Sequence, residues 1–213
     1  MAVNQPGEAE EALREALRLD RLMGRKLDQY DYAFVQFRLA QLLANSGRTE
    51  EASHAVRESR QSLEGFAQKL LDEPECISRL VVVLTMSPIP ELRDPNRAVA
   101  LAVRALPDSS GHYWRYRALA QYRTRQWVNA MQSAHEAMSR LEGGDSIDRF
   151  ILAMATSQNG NRVDAQHWFD EAIGRLERGE SIMYHDLGSL AVQHLREEAE
   201  RMITADASDE SPR

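Results

Sequence analysis

Six histidines, one cysteine, three tryptophans and a paired-glycine turn are the residues of this sequence best suited to chemistry. The histidines are His54, His112, His135, His167, His185 and His194. A helical metal site sets two histidines three or four residues apart so that both imidazoles face one side, and none of these pairs has that spacing. His135 with Glu136, or His185 with Asp186, would point to different faces, because neighbours along a helix lie about 100° apart. A lone cysteine, Cys76, excludes an intramolecular disulfide framework and a multi-cysteine zinc site. It could serve as a reactive thiol, although the sequence places no histidine beside it. Gly143-Gly144-Asp145 lacks the preceding strand and the following Lys-Ser/Thr of a phosphate loop. It reads better as a helix stop followed by a new helix capped by Asp145 or Ser146. Trp114, Trp127 and Trp168 could suggest an aromatic cage, but packing is the favoured reading. These residues point to no catalytic site, no metal and no cofactor.

Positioning any such residue falls to helices. Of 213 residues, 43% are apolar and only 7% aromatic, with Ala, Leu, Arg and Glu abundant and β-branched runs scarce. The longest apolar run, Leu80 to Met86, is far shorter than the roughly 20 residues of a membrane span, so no membrane partner is expected. The N-terminus lacks the basic-then-apolar pattern of a signal peptide, and a cytoplasmic location is the default expectation. The formal charge is −7, which argues against a nucleic-acid binder. That charge is uneven. Residues 76–142 hold 9 basic and 5 acidic side chains between two acidic ends, with Arg104, Arg115, Arg117, Arg123 and Arg125 close together. A basic centre suits an acidic peptide partner, while solvated or internally paired arginines are the plainer alternative.

Apolar residues recur at spacings of three and four, and short breaks divide them into pairs. Phe34, Phe37, Leu39, Ala40 and Leu43 precede Asn45-Ser46-Gly47, and Thr49 opens a second helix bearing Ala52, Val56 and Leu63. So short a link forces the two helices to pack antiparallel. The unit repeats as Trp114, Ala118, Trp127, Ala130, Ala134 and Ala137, then as Leu152, Ala153, Gly160, Ala165, Phe169 and Ala172. Ala118 to Ala153 and Ala130 to Ala165 are both 35 residues apart. Alanine at such places permits helices to cross at about 8–10 Å. The expected fold is therefore all-α, with hairpins near residues 28–72, 75–106, 111–142 and 146–178. Charged amphipathic helices at 7–24 and 181–203 would cap a single domain of residues 1–204, and 205–213 reads as a disordered acidic tail. Residues 80–84 could alternatively form a buried strand.

With a period near 34 and small residues late in each first helix and early in each second, the chain resembles the tetratricopeptide repeat. From Asp94 onward the likeness is narrower. The runs DPNRAVALAVRALP, YWRYRALAQYRTRQWVNAM and LEGGDSIDRFILAMATSQNGNRVDAQHWFDEAI resemble the repeat region of planctomycete proteins in which repeats accompany a serine/threonine kinase domain. This resemblance implies a fragment of a longer protein or a stand-alone relative. No kinase signature is present, since a glycine-rich loop and HRD or DFG elements are missing.

The resemblance implies a right-handed solenoid of stacked hairpins that acts as a non-catalytic protein–protein interaction scaffold. Its concave groove would be lined by Phe34 and Phe37, then by His112, Arg115, Leu119, Tyr122 and Arg123, and then by Ile147, Phe150, Met154 and Gln158. A protein or peptide, acidic and partly apolar, is the expected partner. Half of these side chains could instead pack on the terminal helix. The Lys and Asn pairs with which co-chaperone relatives hold a C-terminal carboxylate are replaced here by Phe37 with Gln41, Arg115 with Leu119, and Phe150 with Met154. The alternative function is self-association, as a homo-oligomer, or regulation of an attached domain in a larger, kinase-containing protein.

Overall fold

The structure is a computed structural model that describes residues 6–23, 29–69, 74–104, 110–180 and 188–208. The described residues are helical apart from short turns, and no strand occurs among them. They group into two compact units, Met1–Asp94 and Pro95–Arg213, where the sequence suggested one domain.

In the first unit, α1 (Pro6–Leu22) packs on α2 (Gln29–Asn45), α2 on α3 (Thr49–Lys69), and α3 on α4 (Pro74–Met86). A one-turn 3-10 helix, Pro90–Leu92, follows the Ser87-Pro88 break and lies against α3. Leu17, Leu39, Leu43, Ala52 and Ile89 form a shared core. Leu80 to Met86 is buried on every side. A helix that is apolar all round belongs in a core, so this run is helical and the strand alternative does not apply. Two arginines fasten the outer helices. Arg48 reaches Glu10 on α1 at 2.5 Å and Glu51 on α3 at 2.6 Å. Arg79 on α4 pairs with Asp31 on α2 and with Glu75 at 2.8 Å.

The second unit contains α5 (Pro95–Arg104), α6 (Gly111–Arg123), α7 (Trp127–Arg140), α8 (Ser146–Gln158), α9 (Arg162–Glu177) and α10 (Gly188–Ser208). Each helix from α5 to α9 packs on the next, and α10 turns back onto α8 and α9. Within the segment 75–106, α4 lies in the first unit and α5 in the second. α10 runs to Ser208, and the rest of the acidic tail lies outside the described residues. So does the segment 181–187, which the sequence reading included in the last helix.

Three hairpin turns close identically. The amides of Arg48, Gln126 and Asn161 donate to the carbonyls of Leu43, Gln121 and Thr156, the six-to-one bond of a Schellman helix end. The residue before each has a left-handed backbone, with φ of +75° at Gly47, +62° at Arg125 and +89° at Gly160. Arg125 therefore occupies a position its neighbours fill with glycine. A left-handed L-residue costs about 1–2 kcal/mol and glycine's extra freedom returns part of that, so Arg125→Gly is expected to stabilise by about 0.5–1 kcal/mol. Nothing lies within 4 Å of a Cβ added at Gly160. Gly160→Ala is thus expected to cost about 1 kcal/mol through the backbone alone. Urea unfolding of both variants checks the pair.

Candidate functional site

A buried cluster of charged side chains surrounds the start of α8. Asp145 caps that helix, its carboxylate accepting from the Ile147 amide at 2.8 Å. Asp148 completes the capping box by accepting from the Asp145 amide at 3.1 Å. The preceding Gly144 has φ +66°, and a Cβ there would meet Asp148 Oδ2 and Met138 Cγ at 2.6 Å each, so only glycine fits. From α6, Arg115 enters as a fork: Nε donates to Asp148 Oδ1 at 2.7 Å and Nη2 to Oδ2 at 2.6 Å. Nη2 also lies 2.9 Å from the Asp145 carboxylate. Arg115 is 3% exposed and Asp148 is fully buried. Burial works against the charged guanidinium, but the two carboxylates hold its pKa above the ordinary arginine value. Arg149 braces the same loop, donating to the carbonyls of Gly143 at 3.0 Å and Asp145 at 3.1 Å.

Two carboxylates share one arginine here. Burial, followed in opposition by Arg115, then by Asp148 as a like charge, pushes the Asp145 carboxyl above its usual range. A carboxyl whose folded pKa is raised binds more protons folded than unfolded. Its contribution is present below the unfolded value, about 3.9, and is lost as pH rises through the folded one. Asparagine caps a helix as well as aspartate does. Asp145→Asn is therefore expected to gain stability relative to the parent as pH rises from about 4 into the neutral range, a trend that thermal melts across that interval measure.

Most of the expected groove residues are buried. Phe34 and Phe37 lie in the first unit, at 7% and 1% exposure, with ring centroids 6.0 Å apart and the Arg79 guanidinium 5.5 Å above Phe34. In the second unit Leu119, Ile147, Phe150 and Met154 are buried, and Phe150 packs against Phe169 of α9 at 5.9 Å. Arg115, expected as a free basic anchor, is consumed by the α8 cap. His112 is half-buried and Gln158 is exposed.

Tyr122 and Arg123 meet α10. The Tyr122 hydroxyl donates to Glu198 Oε1 at 3.1 Å and lies 3.1 Å from Met202 Sδ. Arg123 embraces the same carboxylate, Nη2 to Oε2 at 2.7 Å and Nη1 to Oε1. Burial, reinforced by the Glu198 charge, pushes the Tyr122 hydroxyl well above the ordinary phenol range. Ala191, Val192, Leu195 and Ala199 form the buried face of α10. The sequence reading missed Glu198, which sits among Arg196, Glu197, Glu200 and Arg201 and carries no local mark of its role. It also missed Asp148 as the partner of Arg115, although the Asp-x-x-Asp spacing after the glycine pair was a capping-box signal.

The remaining candidates resolve simply. Cys76 is fully buried, its sulfur 3.8 Å from the Leu63 carbonyl oxygen, which removes the thiol from solvent chemistry. His135 and His167 flank Trp168 at 5.5 and 5.6 Å, while His54 stands exposed near Glu58. His185 lies outside the described residues. Trp127 packs on Tyr122 at 5.5 Å, and Trp114 lies between the guanidinium groups of Arg117 and Arg140. Among the described residues no three His, Cys, Asp or Glu side chains are grouped to hold a metal ion, and no helix is long and apolar enough to cross a membrane. Comparison with protein-family models, curated proteins and solved structures gives no match to this chain.

Proposed function

We propose that the chain is a non-catalytic, cytoplasmic interaction scaffold of the tetratricopeptide type, its hairpins stacked as a right-handed solenoid with terminal capping helices, which binds a partner protein or peptide. One observation supports this reading above the others. Ala118, Ala130, Ala153 and Ala165 stand one repeat apart in two hairpins and all have zero exposure, as close helix crossings require. The identical closure of three hairpin turns adds to it. Helical repeats of this kind present their first helices as a binding surface, and most of the specificity resides in a few anchoring side chains.

The second reading, a self-associating or regulatory segment of a larger kinase-containing protein, draws support from α10, which covers groove positions with the chain's own helix. Light scattering on the full chain separates the two. A monomer that forms a stoichiometric complex with a partner recovered by cross-linking is the result expected of a scaffold. A partner-free dimer would favour self-association. Arg123→Glu should weaken the complex, whereas Val163→Asp on α9, where Val163 is 80% exposed, should not.

A further inference from the structure

We propose that α10 is the intramolecular occupant of a helix-binding face made by α8 and α9 with the C-terminal end of α6, and that the external partner is an amphipathic helix of the same chemistry, bearing a small-apolar stripe at four-residue intervals and a carboxylate set against Arg123. This deepens the scaffold reading and rests on it. The stripe is read from α10 itself, where Ala191, Leu195 and Ala199 are fully buried while Gln193, Arg196, Glu197 and Glu200 face solvent. That pattern is how an amphipathic helix lies in a groove.

The attachment is narrow. Of the largest fully buried side chains, α8 contributes Phe150, Ile151, Leu152 and Met154, whereas α10 contributes Leu195 alone. Two alanines, one valine and one leucine bury less apolar surface than the large side chains of α8, so α10 has less holding it than α8 has. On α10 the Glu198 carboxylate takes both Tyr122 and Arg123. The Arg123 Nε is buried and has no hydrogen-bond partner. Charge complementarity then defines the ligand. Arg115 is spent on Asp145 and Asp148, which leaves Arg123 as the groove arginine whose carboxylate comes from a displaceable element. An incoming helix that supplies the stripe and the carboxylate replaces the apolar contacts of Ala191, Leu195 and Ala199 and the Glu198 contacts to Tyr122 and Arg123. Its apparent affinity is reduced by the fraction of chains in which α10 occupies the face.

The test uses the full chain and a fluorescent peptide of sequence 188–208. The peptide should bind the parent weakly and bind a Glu198→Ala chain about ten-fold more tightly, because weakening the internal competitor raises the competent fraction. Adding Arg123→Ala to that chain, or making Glu198→Ala in the peptide instead, should abolish the gain. Equal binding with and without Arg123, or no binding to the Glu198→Ala chain, overturns the proposal. Hydrogen exchange on the unaltered chain supplies a second arm that needs no variant. Amides of α10 should exchange at least ten-fold faster than those of α8 through local opening, and exchange of both helices in one step overturns the proposal. A concentration-dependent dimer of the Glu198→Ala chain would make a second copy the occupant and also overturn it. In each case a partner complex sensitive to other surfaces leaves the scaffold reading standing, so the two can fail separately.

Discussion

Asp148→Ala is expected to destabilise the second unit by about 3–5 kcal/mol, the usual cost of removing one partner from a buried ion pair. The change strips Arg115 of both bonds of its fork and removes the side-chain acceptor for the Asp145 amide. A guanidinium at 3% exposure cannot recover its solvation, and the nearby Asp145 carboxylate satisfies only part of it. Replacing both partners together, as Arg115→Met with Asp148→Leu, is expected to cost less than Asp148→Ala alone, because no uncompensated charge stays buried. All three tryptophans, Trp114, Trp127 and Trp168, lie in this unit, so their fluorescence in a urea titration reports its unfolding specifically. An additive double variant would mean that Arg115 and Asp148 do not act as a pair.

Phe150→Ala carries an effect of similar size, about 3–5 kcal/mol, since it empties the volume of a fully buried ring. The ring has zero exposure and rests on Phe169, within a helix whose residues Ser146 to Ser157 are all buried. An aromatic anchor waiting for a ligand would behave differently, costing affinity and little stability. The same fluorescence titration therefore settles whether Phe150 is core or anchor. Ala153→Leu should overpack the α8–α9 crossing at a cost of about 1–3 kcal/mol. Ala120 on α6 has zero exposure as well, so Ala120→Leu is expected to be costly too.

Local signals in the sequence carried far. The Asn45-Ser46-Gly47 break and Gly160 lie at Schellman ends, and Asp145 caps α8, because each is decided by a few adjacent residues. The alanine pairs 35 residues apart are buried as close crossings demand. Coverage was not legible. The helix SIDRFILAMATS is apolar on more than one side, and its periodicity gives no indication that α10 and α9 lie over it, so Phe150 and Met154 looked available for a ligand. Arg115 looked like a free cation because its two partners follow it by about one repeat, a distance at which charge spacing carries no information. Glu198 was hidden for the same reason, 75 residues from Arg123.

The most direct measurement of the central claim is hydrogen exchange on the full chain with and without a bound partner, resolved by helix. The scaffold reading, with α10 as the displaceable occupant, predicts that binding slows exchange at α6 around Tyr122 and Arg123 and keeps α8 protected while α10 becomes faster. Slower exchange confined to α7 and α9, with α10 unchanged, would contradict it.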